Sequence, residues 1–196
     1  RINKSINVIF ILFFVFPSAV FGLRPLLTAE RQLGDHCTSD GWTKNGGLPS
    51  DSIHALARGP EGFLWISTKK GLVRYDGLTF EPVPFYQKEP GARLQNIETR
   101  PLLVDIDDTL WIGSVSGLTS YDYRTRRFAT YHDVKGLANQ KVRCLYKDIR
   151  GNLWISLYSG PLFRYSEGTF TSFDKKDGLT GTKINAVVET QTGELL

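Results

Sequence analysis

Three tryptophans recur in one sequence context, and this repeat limits the possible folds more than any other feature. Trp65, Trp111 and Trp154 each follow Leu and precede Ile, at spacings of 46 and 43 residues. A glycine stands six residues after each tryptophan, at Gly71, Gly117 and Gly160. Self-similarity at a period of about 20 to 50 residues is typical of repeat architectures. We therefore expect a series of similar units, each built around one Leu-Trp-Ile run.

Each unit contains four short segments that are typical of β-strands. The first segments mix β-branched and small residues and lie at 53–57, 142–146 and 184–188. The second contain the Leu-Trp-Ile run, the third follow the repeated glycine, and the fourth begin with an aromatic residue. Turns rich in Gly, Asn and Asp separate these segments. In the second unit Asp108 stands in place of the turn glycine, and the turn can still form because Asp tolerates the left-handed conformation. This pattern predicts antiparallel four-stranded meanders.

Repeated small meanders are typical of β-propeller blades, because one four-stranded sheet cannot bury both of its faces alone. A β-sandwich would not explain one Trp-Ile pair at the same place in every unit. We therefore predict an all-β fold with propeller blades at 47–90, 91–135 and 136–177 and a truncated blade at 178–196. The result is an incomplete ring of about three and a half blades. On its own, such an open arc is expected to aggregate or stay partly folded.

The start of the chain predicts export. Residues 1–7 are short and basic, and residues 8–16 form an unbroken apolar run that Pro17 ends. This run is too short to span ~30 Å of hydrocarbon, which takes about 20 helical residues. We expect a signal peptide at 1–22, with an uncleaved signal anchor as the alternative. The first residue is Arg rather than Met, which indicates an incomplete upstream end. Residues 23–46 lie outside the repeat, and Trp42 marks a candidate ring-closing strand.

Several of the repeated runs resemble a known family. Residues 47–53, 62–68 and 71–77 read GLPSDSI, GFLWIST and GLVRYDG, and they are similar to the two-component regulator propeller repeat. The later units resemble it too, so the resemblance covers roughly positions 40–196. Residues 41–43, just upstream, are similar to the stretch that opens such sensor regions behind a signal peptide.

The resemblance implies a periplasmic sensor region, usually built of one or two seven-bladed propellers. An Ig-like domain, a membrane helix and a histidine kinase or diguanylate cyclase output module would follow. The implied function is ligand sensing at the periplasmic face of the inner membrane, with a small-molecule or oligosaccharide signal. Membrane attachment through a downstream helix and a homodimer in the full-length sensor are expected with it. A secreted propeller enzyme, or an adhesion or scaffold module acting on glycans, is the alternative.

The sequence predicts no catalytic residue, metal or cofactor in this chain. Beyond position 22 it has 22 basic and 20 acidic residues, a near balance that predicts no nucleic-acid partner. No phosphate-binding loop, nucleophile elbow or carboxylate–His pairing is visible. Residues 105–108 lack the glycine and the closing Glu of a calcium loop, which favours a solvated turn. The arginines at 123–128 are expected at an exposed hairpin tip.

Two groups of repeated residues are interpreted as structural. Trp65, Trp111 and Trp154 are expected to pack between blades rather than stack on a sugar. Gly71, Gly117 and Gly160 complete this repeat core. Cys144 occupies the same position in its unit as Ala55, Pro101 and Ala186, which indicates a small buried residue, with a disulfide to Cys37 as the alternative.

A ligand site is predicted where the loops after strand two meet the loops before strand one. In a propeller these loops share one face of the central channel, and here they vary between units while their flanks stay constant. The candidate ligand-binding residues are Lys69, Lys70, Tyr158 and Ser159. His54 shares its repeat position with Arg100, Arg143 and Asn185, a polar column that indicates strand surface or channel lining.

Overall fold

A computed structural model describes residues 41–84, 98–181 and 183–196, whose strands form three four-stranded antiparallel sheets. The first sheet contains β1 (Ile53–Arg58), β2 (Leu64–Thr68), β3 (Gly71–Tyr75) and β4 (Phe80–Val83). The second contains β5 (Thr99–Val104), β6 (Thr109–Ser114), β7 (Gly117–Asp122) and β8 (Arg127–Thr130). The third contains β9 (Val142–Lys147), β10 (Leu153–Leu157), β11 (Leu162–Ser166) and β12 (Thr169–Phe173). Short 3₁₀ helices lie at Lys44–Gly46 and Lys175–Asp177.

The strands of each sheet follow one another in chain order, so every sheet is a meander. The first strands β1, β5 and β9 lie beside one another, which places them on the inner side of an arc of three blades. The predicted all-β fold of propeller blades is confirmed, and the described sheets do not close into a ring. No helix among the described residues is long and apolar enough to cross a membrane. The predicted signal peptide at 1–22 lies outside these residues.

The Trp and the Ile of each second strand pack on opposite faces of their sheet, and those of the second blade fill two successive interfaces between blades. Neighbouring residues of a strand point to opposite faces of the sheet. The Trp of one blade therefore meets the Ile of the next. Trp65 shares a buried cluster with Ile112, and Trp111 shares the next one with Ile155. Trp154 packs with Val187 from the segment that follows the third sheet. Packing of both faces explains why the dipeptide recurs once per blade.

The repeated glycines lie at the turn between the second and third strands. Gly71, Gly117 and Gly160 have φ angles of 120°, 126° and 126°. A side chain is strained at such angles, so these positions require glycine. Thr68 shows how the turn is held in the first sheet, because its hydroxyl donates to the carbonyl of Gly71 over 2.8 Å.

Asp148, which directly follows β9, binds the tryptophan of its own blade. Its carboxylate accepts hydrogen bonds from the Trp154 indole over 2.8 Å and from the backbone amide and the side-chain amide of Asn152, both over 2.7 Å. Burial raises the pKa of the Asp148 carboxyl, but the hydrogen bonds from Asn152 and Trp154 outweigh burial and leave that pKa below its ordinary value. The ionised form therefore stabilises the fold.

Asp148→Asn is expected to lower the free energy of unfolding at pH 7 by about 1–3 kcal/mol, since a charged acceptor becomes neutral. The folded pKa lies below the unfolded value of about 3.9, so the stabilisation is complete above that value and is lost as pH falls through the folded pKa. Denaturant unfolding of the complete protein between pH 3 and 7 should thus show a flatter acid decline in the variant. Asp107→Asn, in an exposed turn, is the control. Equal pH dependence in Asp148→Asn and wild type would contradict this role.

Gly113 stands where the other two blades have a buried serine, at Ser67 and Ser156. A Cβ on Gly113 would lie 2.7 Å from Pro101 Cγ and 2.7 Å from Val142 Cγ1, which belong to β5 and β9. These distances are far below van der Waals contact, so no side chain fits between the second and third blades.

Gly113→Ser matches the residue of the other repeats and is nevertheless expected to destabilise the protein by about 1–3 kcal/mol through overpacking. The change in the free energy of unfolding is measured by guanidinium denaturation of the complete protein. Gly181→Ser is the matched control, because a Cβ there meets no atom within 4 Å. Wild-type stability of Gly113→Ser would show that the two blades can separate at no cost.

The last residues begin a fourth unit, but not with the predicted strand at 184–188. These residues have no strand assignment. Instead Val188 and Leu196 exchange two backbone hydrogen bonds, and the amide of Thr190 donates to the carbonyl of Glu194 over 2.8 Å. In the third blade Tyr146 pairs with Trp154, and the backbone amide of Asp148 donates to the carbonyl of Asn152. This is the same pattern one repeat earlier. Leu196 therefore occupies the place that Trp154 has in its blade.

Two further sequence interpretations, those of Asp105 and Cys144, differ from the structure, and the candidate ring-closing strand at 23–46 stays a prediction. Asp105 is buried rather than solvated, while the rest of its turn, at 106–108, lies nearer the surface. Cys144 is half-buried, and its predicted alternative partner Cys37 lies outside the described residues. Trp42 lies outside any strand, and its ring packs against Tyr75 at a centroid distance of 5.4 Å. Trp42 therefore packs on the sheet face of the first blade that carries Ile66 and Val73.

Candidate ligand-binding site

One backbone hydrogen bond recurs at the same end of all three sheets. The amides of Lys69, Val115 and Tyr158, just after the second strands, donate to the residue just before each first strand. The acceptors are the carbonyls of Ser52, Glu98 and Lys141, at 3.1, 3.1 and 2.9 Å. Each loop after strand two is thereby held beside the start of strand one. This end of the arc is termed the channel mouth below.

Three cationic side chains surround one aromatic ring at the channel mouth. The Arg100 guanidinium carbon lies 5.1 Å from the ring centre of Tyr158, Lys141 Nζ lies 4.4 Å from it, and the Arg143 guanidinium carbon lies 4.8 Å from it. Cations over an aromatic face are attracted by its quadrupole. Together with Glu98, these four residues form the channel-mouth cluster, which brings side chains of the second and third blades together.

Both terminal nitrogens of the Arg100 guanidinium have partners within the cluster. It donates to the Tyr158 hydroxyl over 2.7 Å and forms an ion pair with Glu98. Its backbone carbonyl also accepts a hydrogen bond from Ser67 of the first blade over 2.6 Å. Arg100 therefore fixes the positions of Tyr158 and Glu98 and ties them to the first blade.

Lys141 and Arg143 are placed differently from Arg100. Both are half-buried, and among the described residues neither has an ion-pair or hydrogen-bond partner for its side chain. Their charges lie within about 10 Å of each other, which is the screening length at 0.1 M salt, so they repel each other across the Tyr158 ring. The cluster consequently has an excess of positive charge that solvent can reach.

The predicted ligand-binding residues lie in equivalent loops of two different blades. Lys69 and Lys70 form the turn between β2 and β3, whereas Tyr158 and Ser159 form the one between β10 and β11. Tyr158 is the centre of the channel-mouth cluster. The side chains of Lys69 and Lys70 are exposed and have no ion pair or ring contact among the described residues. The structure thus joins Tyr158, but neither lysine, to the cluster.

A carboxylate–histidine contact is present that sequence reasoning missed. His54 Nε2 lies 3.8 Å from Glu98 Oε1, and His54 Nδ1 lies 2.7 Å from the carbonyl oxygen of Thr99. The two residues are 44 positions apart in the chain and meet because β1 and β5 are adjacent inner strands. The sequence contains one indication of this contact: His54, Arg100 and Arg143 occupy the same repeat position, and that position is polar in every unit.

The tyrosines with the clearest titration shifts lie between blades rather than at the channel mouth. Burial raises the pKa of Tyr131 to about 12, against a weaker opposing effect of its hydrogen bond with Ser120. Burial also raises the pKa of Tyr123, which packs against Trp65. Packing of aromatic rings accounts for both shifts. Within the described parts of the chain, no three His, Cys, Asp or Glu side chains come together as a metal site.

Two segments of the chain match the two-component regulator propeller family, at residues 47–70 and 136–159. Both segments run from a Gly-Leu pair through the first and second strands to the channel-mouth loop. They therefore contain Lys69, Lys70, Tyr158 and Ser159 at their ends. No curated protein sequence matches the chain significantly.

Solved structures share the fold. An extracellular domain assigned to the hybrid two-component system BT4673 from B. thetaiotaomicron is 22% identical with a TM-score of 0.64, over 79% of this chain and 21% of its own. The extracellular domain of BT3049 from the same organism is 22% identical with a TM-score of 0.62, over 76% of this chain and 20% of its own. Virginiamycin B lyase from Staphylococcus aureus is 13% identical with a TM-score of 0.52, over 71% of this chain and 46% of its own.

These likenesses concern the fold, and this chain spans only about a fifth of the length of the two extracellular domains. The sequence match is more specific than the fold, because it falls on the same stretch of the first and the third blade. The stretches at 47–70 and 136–159 are therefore similar to the two-component regulator propeller repeat, and they lie in the first and the third of three consecutive propeller blades.

Proposed function

We propose that the chain is the extracytoplasmic, ligand-sensing propeller region of a transmembrane sensor of the histidine kinase or diguanylate cyclase type. The observation that carries this proposal is the match of 47–70 and 136–159 to the two-component regulator propeller repeat. The likeness to extracellular domains of hybrid two-component systems supports it. The signal peptide predicted at 1–22 agrees with export to the periplasmic face of the inner membrane.

The channel mouth is the part of the chain best suited to bind a signal. Its loops are held by repeated backbone hydrogen bonds on a rigid scaffold, a common arrangement for binding residues. A small molecule or oligosaccharide bound there would contact the second and third blades at once. By binding one relative position of the blades better than another, it would shift a two-state equilibrium. A downstream membrane helix in a homodimer would transmit that shift.

The complete gene product tests this proposal through its location and its activity. A sensor should be recovered in the membrane fraction and should either take up phosphate from ATP or convert GTP to cyclic diguanylate. In-frame deletion of 47–181 should leave the protein in the membrane and change the level of that activity. Recovery as a soluble exported protein with neither activity would contradict the sensor.

A secreted propeller enzyme is the second candidate function. The specific observation in its favour is the contact between His54 and Glu98, since such a pair can move a proton. The sensor is preferred because Glu98 is already paired with Arg100 and His54 Nδ1 is held by a backbone carbonyl.

A further inference from the structure

We propose that the channel-mouth cluster binds an anionic group of the signal ligand, a carboxylate or a sulfate, with Lys141 and Arg143 as its direct partners. This inference rests on the proposed function, because it names the chemistry of the ligand that the sensor would detect. Neutral ligands are excluded as the preferred class. The chain has nearly balanced charge overall, so the preference arises from the local arrangement of side chains.

The first argument is the charge balance within the cluster. Three cations meet one carboxylate, and that carboxylate is already paired with Arg100. Lys141 and Arg143 are left half-buried without a counter-ion among the described residues. Partly desolvated cations that repel each other gain more from an anion than exposed ones do, because screening is weaker there. A bound carboxylate or sulfate would remove the repulsion.

The second argument is that the two cations are held in position. Tyr158 offers its ring to both and is itself fixed by the Arg100 hydrogen bond at its hydroxyl and by its amide bond to the Lys141 carbonyl. Binding therefore requires little additional ordering of Lys141 and Arg143, which lowers the entropic cost of association. The guanidinium of Arg143 can also bind a carboxylate or a sulfate through two parallel hydrogen bonds.

The third argument is that further basic residues extend the positive charge around the mouth. Lys69 and Lys70 occupy the equivalent loop of the first blade, and Lys183 precedes the fourth unit as Lys141 precedes the third blade. The turns at the opposite end of the second sheet carry both signs of charge, with Asp107 and Asp108 near Arg124, Arg126 and Arg127. The lysines around the channel mouth would thus add to the attraction of an anionic ligand there.

The test is calorimetric titration of the complete gene product with three disaccharides of matched size: a uronic-acid disaccharide, a sulfated disaccharide and neutral galactobiose. At least one anionic disaccharide should bind at least 10-fold more tightly than galactobiose, and its affinity should fall as salt is raised. The two anionic arms distinguish a carboxylate from a sulfate ligand. Equal binding of galactobiose, or no binding of either anionic disaccharide, would overturn the proposal.

Variants assign the binding to the cluster. The double variant Lys141→Gln with Arg143→Gln should weaken binding of the anionic disaccharide at least 10-fold. The matched control is Arg126→Gln with Arg127→Gln, which removes the same charge from exposed positions where the turn after β7 meets the start of β8, and it should leave affinity unchanged. Equal weakening by both double variants would show only non-specific attraction and would contradict the site.

The output assay separates this proposal from the sensor proposal. If the gene product binds an anionic disaccharide through Lys141 and Arg143 but has neither kinase nor cyclase activity, the proposed anion site is supported and the proposed sensor function is contradicted. If the complete protein is a membrane-bound kinase or cyclase but binds neither anionic disaccharide, the proposed anion site is contradicted and the proposed sensor function is supported.

Discussion

Trp111→Ala is expected to lower the free energy of unfolding by about 3–5 kcal/mol, the range for truncation of a large aromatic residue in a core. Trp111 is buried between the second and third blades, where its ring centre lies 5.2 Å from Tyr165 and 5.7 Å from Tyr131. Removal of the indole leaves a cavity that two sheets line. Neither sheet can close it without shifting its own hydrogen-bonded strands.

The measurement is guanidinium denaturation of the complete protein, followed by circular dichroism. Leu78→Ala is the control, because Leu78 is 88% exposed and its truncation should change stability little. Trp111→Phe keeps most of the packing and should lose less than Trp111→Ala, so it remains informative where the alanine variant fails to fold. A loss in Trp111→Ala no larger than that in Leu78→Ala would show that the blades do not depend on this interface.

The repeat made the fold predictable because each blade packs against its neighbours through the same two side chains of its second strand. A Trp that faces the next blade and an Ile that faces the previous one must recur once per sheet, so the spacing of 46 and 43 residues carries the topology. Local backbone chemistry was equally predictable. Asp108 takes the place of the turn glycine, and its φ of 57° confirms the left-handed conformation expected there.

Contacts between blades were less predictable than the blades themselves. The candidate loop residue Tyr158 lies in the channel-mouth cluster, but its partners Arg100, Lys141 and Arg143 come from other strands. Comparison of repeat positions identified the column of His54, Arg100 and Arg143 as polar. It did not show that the column converges on Tyr158, because convergence depends on the angle between sheets, which no single repeat encodes.

The buried carboxylate of Asp105 illustrates the same limit. Within the sequence it belongs to an acidic run, for which a solvated turn is the ordinary expectation. The structure instead places it beside the Trp111 indole and in an ion pair with Lys147 of the next blade. Its partner is 42 residues away, one repeat further on, so the pairing is visible only once the second and third sheets are packed together.

Lys147→Met is expected to lower the free energy of unfolding by about 3–5 kcal/mol, because it leaves a buried carboxylate without its cation. The Asp105 side chain is only 3% exposed, and its Oδ1 atom has no hydrogen-bond partner, so the ion pair at Oδ2 is its main compensation. The Asp105–Lys147 pair joins the turn between β5 and β6 to the end of β9, at the end of the sheets opposite the channel mouth. Its loss should therefore weaken the interface between the second and third blades rather than either sheet.

Two comparisons make this expectation specific. Arg124→Met removes a cation from the exposed Arg124–Asp108 pair, in which Arg124 is 73% exposed, and should change stability little because solvent screens that pair. The double variant Asp105→Leu with Lys147→Met leaves no buried charge and should recover most of the stability lost in Lys147→Met. Guanidinium denaturation of the complete protein measures all three variants. A Lys147→Met variant as stable as Arg124→Met would show that Asp105 does not need its partner, and failure of the double variant to recover would assign the loss to packing of the Lys147 side chain instead of its charge.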